Sequence, residues 1–291
     1  MAQSSWAQQA ADRFFSSRKP PSQIQCDDTA RKISGASAVR PVDSPGSTSY
    51  TIDGGMVKLA REIHGDLVPV STCHGSVEEA DPPLFIYSMP YLRGSYFARC
   101  WSSPQPVDPQ TQSEKQEGTR KRLVLLLEES PPSRTLSEST LSKLIEALPS
   151  LFSQHYPQAL THGDFSVTNI LVDKGTLEIT GVVDWSLASV MPFGMDLDIL
   201  YLATGIMTRD GWKDYTAQPQ LREAFWNEFW AVSGIEGEER RARTRRLAEA
   251  AGQIGAILRL AFRRNDDGSP SDVVVPASEF GRQQLEAWLG K

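Results

Sequence analysis

Residues 160–184 read LTHGDFSVTNILVDKGTLEITGVVD, and no other stretch limits the fold as much. Two apolar runs, ILV and ITGVV, flank a polar segment containing Lys174 and Gly175. That pattern predicts a β-hairpin. A hairpin returns the chain to the end where it began. Asn169 opens the first run and Asp184 closes the second, so the pattern places both at one end. Four residues lie between Asp164 and Asn169, enough for a loop that curves round a bound ion. His162, two residues before Asp164, is placed to brace that loop by hydrogen bonding to nearby backbone.

These residue types suit a particular chemistry. Phosphoryl transfer from a nucleoside triphosphate needs a carboxylate beside the acceptor hydroxyl and divalent ions to neutralise the phosphates. Magnesium takes oxygen ligands, one or two from carboxylates or amides and the rest from phosphate and water. Asp164 can face a hydroxyl, while Asn169 and Asp184 can each offer an oxygen to a metal. Asp, Gly, Ser and Asn also occur in ordinary turns. Two apolar strands, the second ending in Asp, set this stretch apart from an ordinary turn.

The chain has 291 residues, 40% of them hydrophobic, which suffices for one large domain or two small lobes. Its formal net charge of -6 argues against broad nucleic-acid binding. The basic run RRARTRR at 240–246 follows Glu238 and Glu239 and reads as a solvated helix face. Cys26, Cys73 and Cys100 fit neither a disulfide framework nor a zinc spacing. His64 and His74, each followed by Gly, read as helix-end and loop residues. No apolar run approaches the ~18 to 20 residues of a membrane span. The expectation is a cytoplasmic protein with no membrane or nucleic-acid partner.

Along the chain, residues 4–17 are amphipathic at helical spacing, and 36–52 read as two strands around a Ser-Pro-Gly turn. Residues 56–69 read as a helix with Gly65 at its end, and LFIYSMPYL as a strand ending at Pro90. The polar, Pro-rich residues 101–121 read as an exposed excursion. A helix follows from Ser137. Beyond the hairpin the pattern is mainly helical, with a buried stripe of Leu247, Ala251, Ile254, Leu258 and Ala261. Trp226, Phe229 and Trp230 read as helix core. The predicted organisation is a strand-bearing part over 1–90 and a helical part over 91–291.

HGDFSVTNILV followed by ITGVVDW resembles the catalytic and metal-binding motifs of the aminoglycoside phosphotransferase and choline kinase family. Protein kinases carry a related His-Arg-Asp loop, and Gly163 favours the small-molecule branch. VMPFGMDLDILYLATG at 190–205 is similar to the segment after the metal Asp in fungal-type members. The resemblance implies an α+β, protein-kinase-like two-lobed fold, here with a reduced N-terminal lobe and a mainly helical C-terminal lobe. It implies ATP and Mg2+ as cofactors and a hydroxyl on a small molecule as acceptor. Asp164 is then the catalytic Asp, and Asn169 and Asp184 are the magnesium ligands. Asp196 or Asp198 is implied to brace the catalytic loop, with a helix-cap role as the alternative. LFIYSMPYLRG resembles the strand and hinge that hold adenine, at Met89, Pro90 and Leu92, the Leu92 N–H being the donor. Glu62 matches the helix Glu of kinase-like folds. Ser186 stands where many relatives have an acidic residue.

The N-terminal part departs from the family pattern. No strand bearing Lys or Arg fits between Ile52 and Met56, and Lys58 lies on the same helical stretch as Glu62. The turn DSPGS at 43–47 occupies the place of a phosphate-covering loop but has only one Gly. Either the strand was lost or a skipped exon removed it. Two readings follow: an active phosphotransferase, or a catalytically impaired pseudokinase that binds nucleotide or a protein partner.

Overall fold

Short local signals decide where the helices start. In the computed structural model of the chain, residues 15, 22–35, 37, 61–68, 72–76, 85–88, 108–129, 135–173, 175–176, 178–265 and 270–290 are described. Their elements run in the order α1 (Gln23–Ser34), β1 (Thr72–Ser76), β2 (Phe85–Ser88), α2 (Pro109–Leu127), α3 (Glu138–Leu151), β3 (Gln158–Thr161), β4 (Ile170–Val172) and β5 (Ile179–Val182). Then follow β6 (Ser189–Pro192), α4 (Ile199–Leu202), β7 (Gly205–Thr208), β8 (Gly211–Asp214), α5 (Gln218–Ser233), α6 (Glu238–Leu260), β9 (Phe262–Arg264), β10 (Pro270–Val274) and α7 (Phe280–Leu289). This is a mixed α+β protein with small antiparallel sheets. Among the described residues, no helix is long and apolar enough to cross a membrane.

The chain divides into two units, Met1–Tyr96 with Ile170–Ser186, and Phe97–Asn169 with Leu187–Lys291. In the first, α1 opens on a reciprocal capping box between Ser22 and Gln25 and closes at Gly35, φ 68°. Residues 61–64 are helical and lead into a 3-10 turn at Gly65–Leu67, as the position of Gly65 predicts. β4 and β5 form the predicted antiparallel hairpin. Asp173 closes its turn by accepting hydrogen bonds from the N–H groups of Gly175 and Thr176, at 2.8 and 2.9 Å.

The core of the second unit lies where α3 packs on α2 and α6. Leu141, Leu144, Leu148 and Leu151 face Leu123, Leu126, Ile254 and Ile257, all buried. Ser137 caps α3 by accepting from the Thr140 N–H at 3.0 Å. Ala251, Ile254, Leu258 and Ala261 are buried as their spacing predicts, with Leu247 half-buried at the edge. Trp226 and Phe229 of α5 are helix core, packed with Trp230, Phe225 and Phe193. Arg245 in the basic run pairs with Glu223 and Glu249, and Arg240, Arg243 and Arg246 are exposed.

Two expectations are corrected. The Pro-rich stretch 101–121 is not a loop throughout, because α2 begins at Pro109. Asp108 caps it through the Thr111 N–H at 2.8 Å, and Pro at the first helical position costs no hydrogen bond. The buried face of α2 includes Gln112 and Thr119, and these polar residues conceal its helical stripe. The segment after the hairpin is less helical than predicted. β6 pairs with β3, β7 with β8, and β9 with β10. These strands have 3 to 5 residues, too short for a legible alternation. The helix of 4–17 apart from Phe15, the strands and turn of 36–52 apart from Ser37, Lys58 and Cys100 lie outside the described residues.

Candidate active site

The loop that carries Asp164 begins where β3 ends. β3 and β6 are in register, Leu160 opposite Val190 and Thr161 opposite Ser189. The Thr161 hydroxyl donates to the Ser189 carbonyl at 2.8 Å, which pins the strand end. Gly163 then takes φ 77°, and a Cβ there would lie 2.4 Å from the Leu187 carbonyl oxygen. The turn therefore requires glycine on two grounds, backbone conformation and space.

Asp196 holds this turn. Its carboxylate accepts from the His162 N–H at 2.6 Å and from the Gly163 N–H at 3.2 Å. Burial pushes the Asp196 carboxyl above its ordinary value, against the hydrogen bond from the His162 N–H. Of the two carboxylates implied as braces, Asp196 is therefore the one on the loop. Asp198 stands at the N-cap of α4 without a capping hydrogen bond. It pairs instead with Arg259 of α6, 2.5 Å away. Burial pushes Asp198 up to about 7, with Arg259 opposing the rise and Asp196 adding to it.

His162 is buried, and its Nδ1 accepts from the Asp164 N–H at 3.3 Å. It thus braces the loop as the sequence predicts. Asn169 closes the loop from the other side. Its Nδ2 donates to the Asp164 carbonyl at 2.9 Å, so its Oδ1 faces away from that carbonyl. The Asp164 side chain remains 40% exposed, open to a ligand.

Why Asp196 sits where it does is decided by α6. A Cβ on Gly194 would lie 2.5 Å from the Ala248 carbonyl oxygen, and a Cβ on Gly255 only 1.8 Å from the Met195 carbonyl oxygen. Helix and turn touch backbone to backbone at these glycines. No sequence pattern marks them, because their role shows only when distant segments meet. Arg264, at the end of β9, is a second residue that the sequence does not mark. Its Nη2 lies 3.8 Å from the Asp164 Oδ1. Burial lowers the Arg264 guanidinium pKa, and Asp164 opposes that shift. No spacing relates residue 264 to 164, so the sequence carries no signal for it.

The structure brings Asp164 and Asn169 together in the second unit, while Asp184 and Glu62 belong to the first. Among the described residues Asp184 is the non-glycine residue with left-handed backbone, φ 64°. Its Oδ1 accepts from the Ser186 hydroxyl at 2.8 Å. Trp185 is buried beside it and donates to the Val182 carbonyl at 2.9 Å. Glu62 is exposed within the helical residues 61–64. Met89, Pro90 and Leu92 lie outside the described residues. Among the described residues, no group of three or more His, Cys, Asp and Glu side chains is placed to hold a metal ion.

Residues 89–229 match the model of the phosphotransferase enzyme family. The match spans Asp164, Asn169, Asp184, Asp196 and Asp198, and it bears out the resemblance to aminoglycoside phosphotransferases and choline kinases. It ends before α6 and β9, so Gly255, Arg259 and Arg264 lie beyond it. No curated protein matches the chain.

Proposed function

We propose that this phosphotransferase-family chain is an ATP- and magnesium-dependent kinase acting on a hydroxyl of a small molecule. The observation that supports this most directly is the loop geometry around Asp164. Asp196 anchors two of its N–H groups, His162 holds a third, and Asn169 grips the Asp164 carbonyl. A carboxylate on so constrained a backbone is pre-organised, which is how orientation lowers a barrier. We read the fold as protein-kinase-like and two-lobed, with a reduced N-terminal lobe on the nucleotide side and the protein in the cytoplasm.

The donor set fits magnesium in kind. Asn169 Oδ1 and the Asp184 carboxylate are hard oxygen ligands, and we assign them to the ion. Bound magnesium would neutralise phosphate charge as the phosphoryl group moves. Asp164 orients the acceptor hydroxyl and takes its proton as the new oxygen–phosphorus bond forms and ADP leaves. We assign Met89, Pro90 and Leu92 to the adenine and Glu62 to the phosphate-gripping side, following the family pattern.

The test is turnover of Mg-ATP by the purified chain across hydroxylated small molecules. Asp164→Ala abolishes it while thermal unfolding changes little, since the side chain is half-exposed. Undiminished turnover in that variant rejects the mechanism. Nucleotide binding without turnover in the native chain would instead establish the pseudokinase reading.

A further inference from the structure

We propose that Arg259 is a positioning residue for phosphoryl transfer, acting through Asp198 and Asp196 on the loop that carries Asp164. This rests on the role of Asp164 proposed above. Arg259 lies in α6 and Asp198 at the start of α4, and their side chains are only 12% and 5% exposed. The guanidinium Nη2 stands 2.5 Å from the Asp198 Oδ2. Among the described residues no other ion pair involves Asp198, and its carboxylate makes no capping hydrogen bond to α4.

A buried ion pair adds little net stability, because desolvation offsets the attraction, and its best attested use is to fix a register. Here there is a register to fix. In the turn at 194–198 the Leu197 N–H donates to the Gly194 carbonyl at 2.8 Å, and the Ile199 N–H to the Asp196 carbonyl at 3.2 Å. Bonds of such short range shape the turn but do not place it against α6. Gly252, Gly255 and Arg259 are spaced by three and four residues, so they share one face of α6. A Cβ on Gly252 would lie 3.3 Å from the Gly194 carbonyl oxygen, and Gly255 abuts Met195. The glycines let the turn approach closely, but backbone contact alone carries no charge complementarity. Arg259 supplies that at the far end of the same face. Asp196 precedes Asp198 by two residues, and its carboxylate holds the His162 and Gly163 N–H groups. The path from Arg259 to the Asp164 loop is therefore continuous.

The test measures kcat and KM for Mg-ATP, as ADP formation with glycerol, glucose, choline and serine offered together as hydroxyl acceptors. Amide exchange at His162 and Gly163 is followed in the same proteins. Arg259→Met keeps much of the apolar stem. It should lower kcat ~10- to 100-fold, as a small misplacement of a reacting group does. KM should stay within ~2-fold, the mark of an interaction needed in the transition state rather than for binding. Exchange at both amides should quicken ~10-fold or more. Arg259→Lys keeps the charge but not the planar fork, and its kcat should fall between the two. The double variant Arg259→Met/Asp198→Asn separates positioning from charge balance. It leaves no uncompensated charge on Asp198, so it should be more stable to heat than Arg259→Met. Its kcat should stay as low as that of Arg259→Met, because the link to the turn is still cut.

Native kcat in the double variant overturns the proposal, since Arg259 would then only neutralise Asp198. So does native kcat in folded Arg259→Met, a rise in KM with kcat unchanged, or native exchange rates at His162 and Gly163. Should Arg259→Met fail to fold, the double variant decides by whether its kcat is low or native. ATP turnover of the Asp164→Ala variant is measured in parallel. Turnover insensitive to Asp164, or absent from the native chain, rejects the catalytic reading and the positioning role with it. Amide exchange then reports separately on whether Arg259 holds the loop.

Discussion

Asp184 holds a backbone conformation that residues with a Cβ avoid. Left-handed geometry costs a non-glycine residue on the order of 1–2 kcal/mol, and Asp suffers less than most. Such a cost persists where a side chain is needed for something else. Asp184→Gly should therefore be more stable than Asp184→Ala by about 1 kcal/mol in denaturant unfolding, and both should lack turnover. Equal stability of the two variants would show that the conformation is not strained. Asp198 gives a pH signature. Its folded carboxyl titrates at about 7 against an ordinary 3.8, so between those values the folded state holds more protons than the unfolded. Stability from this group therefore falls as pH rises through the window, by up to about 1.4 kcal/mol per pH unit. Asp198→Asn should remove that fall from unfolding curves recorded between pH 4 and pH 7. A difference curve with no slope would place the titration elsewhere. At this scale the sequence was informative where side chains act within a few residues of each other. His162, Asp164 and Asn169 are such a group, and their mutual hydrogen bonds follow the spacing.

Two helical glycines show how an element's role depends on what lies beside it. Gly118 in α2 has room, since a Cβ would meet the Arg122 Nη1 at 3.6 Å, an ordinary contact. Gly118→Ala should stabilise the protein by about 0.5–1 kcal/mol, because alanine restricts the unfolded chain without straining the helix. Gly255 in α6 has none, with the Met195 carbonyl oxygen 1.8 Å from where a Cβ would lie. Gly255→Ala should destabilise by about 1–3 kcal/mol and lower turnover, because the displaced turn carries Asp196. Amide exchange at His162 and Gly163 should quicken with it. Protection unchanged at those two amides would break the proposed link from α6 to the loop. The same contrast explains α2. Its start was encoded in Asp108 and Pro109, yet the buried Gln112 and Thr119 belong to no apolar pattern. Polar residues enter a core only where a neighbour accommodates them, and a single helix cannot reveal its neighbours.

For the molecule as a whole, Mg-ATP should raise the melting temperature. A ligand confined to the native state stabilises by RT ln(1 + [L]/Kd), about 2.7 kcal/mol at one hundred times Kd. Omitting magnesium, or substituting Asp184→Ala, should cancel most of the shift in a thermal-unfolding titration. A shift of equal size without magnesium would mean that the nucleotide is held by other groups. Acidity and cysteine spacing narrowed the classes open to the chain, and two apolar runs around a polar turn made the hairpin of β4 and β5 legible. By itself the sequence determined the Asp164–Asn169 loop and the hairpin that follows, because turn chemistry and strand periodicity act over a few bonds. Only the tertiary structure decided that Asp196 rather than Asp198 holds the loop, that Gly255 sets the place of that brace, and that Arg264 reaches Asp164. Those contacts join residues 30 to 100 positions apart, and their energy depends on where packing places the segments rather than on any local pattern.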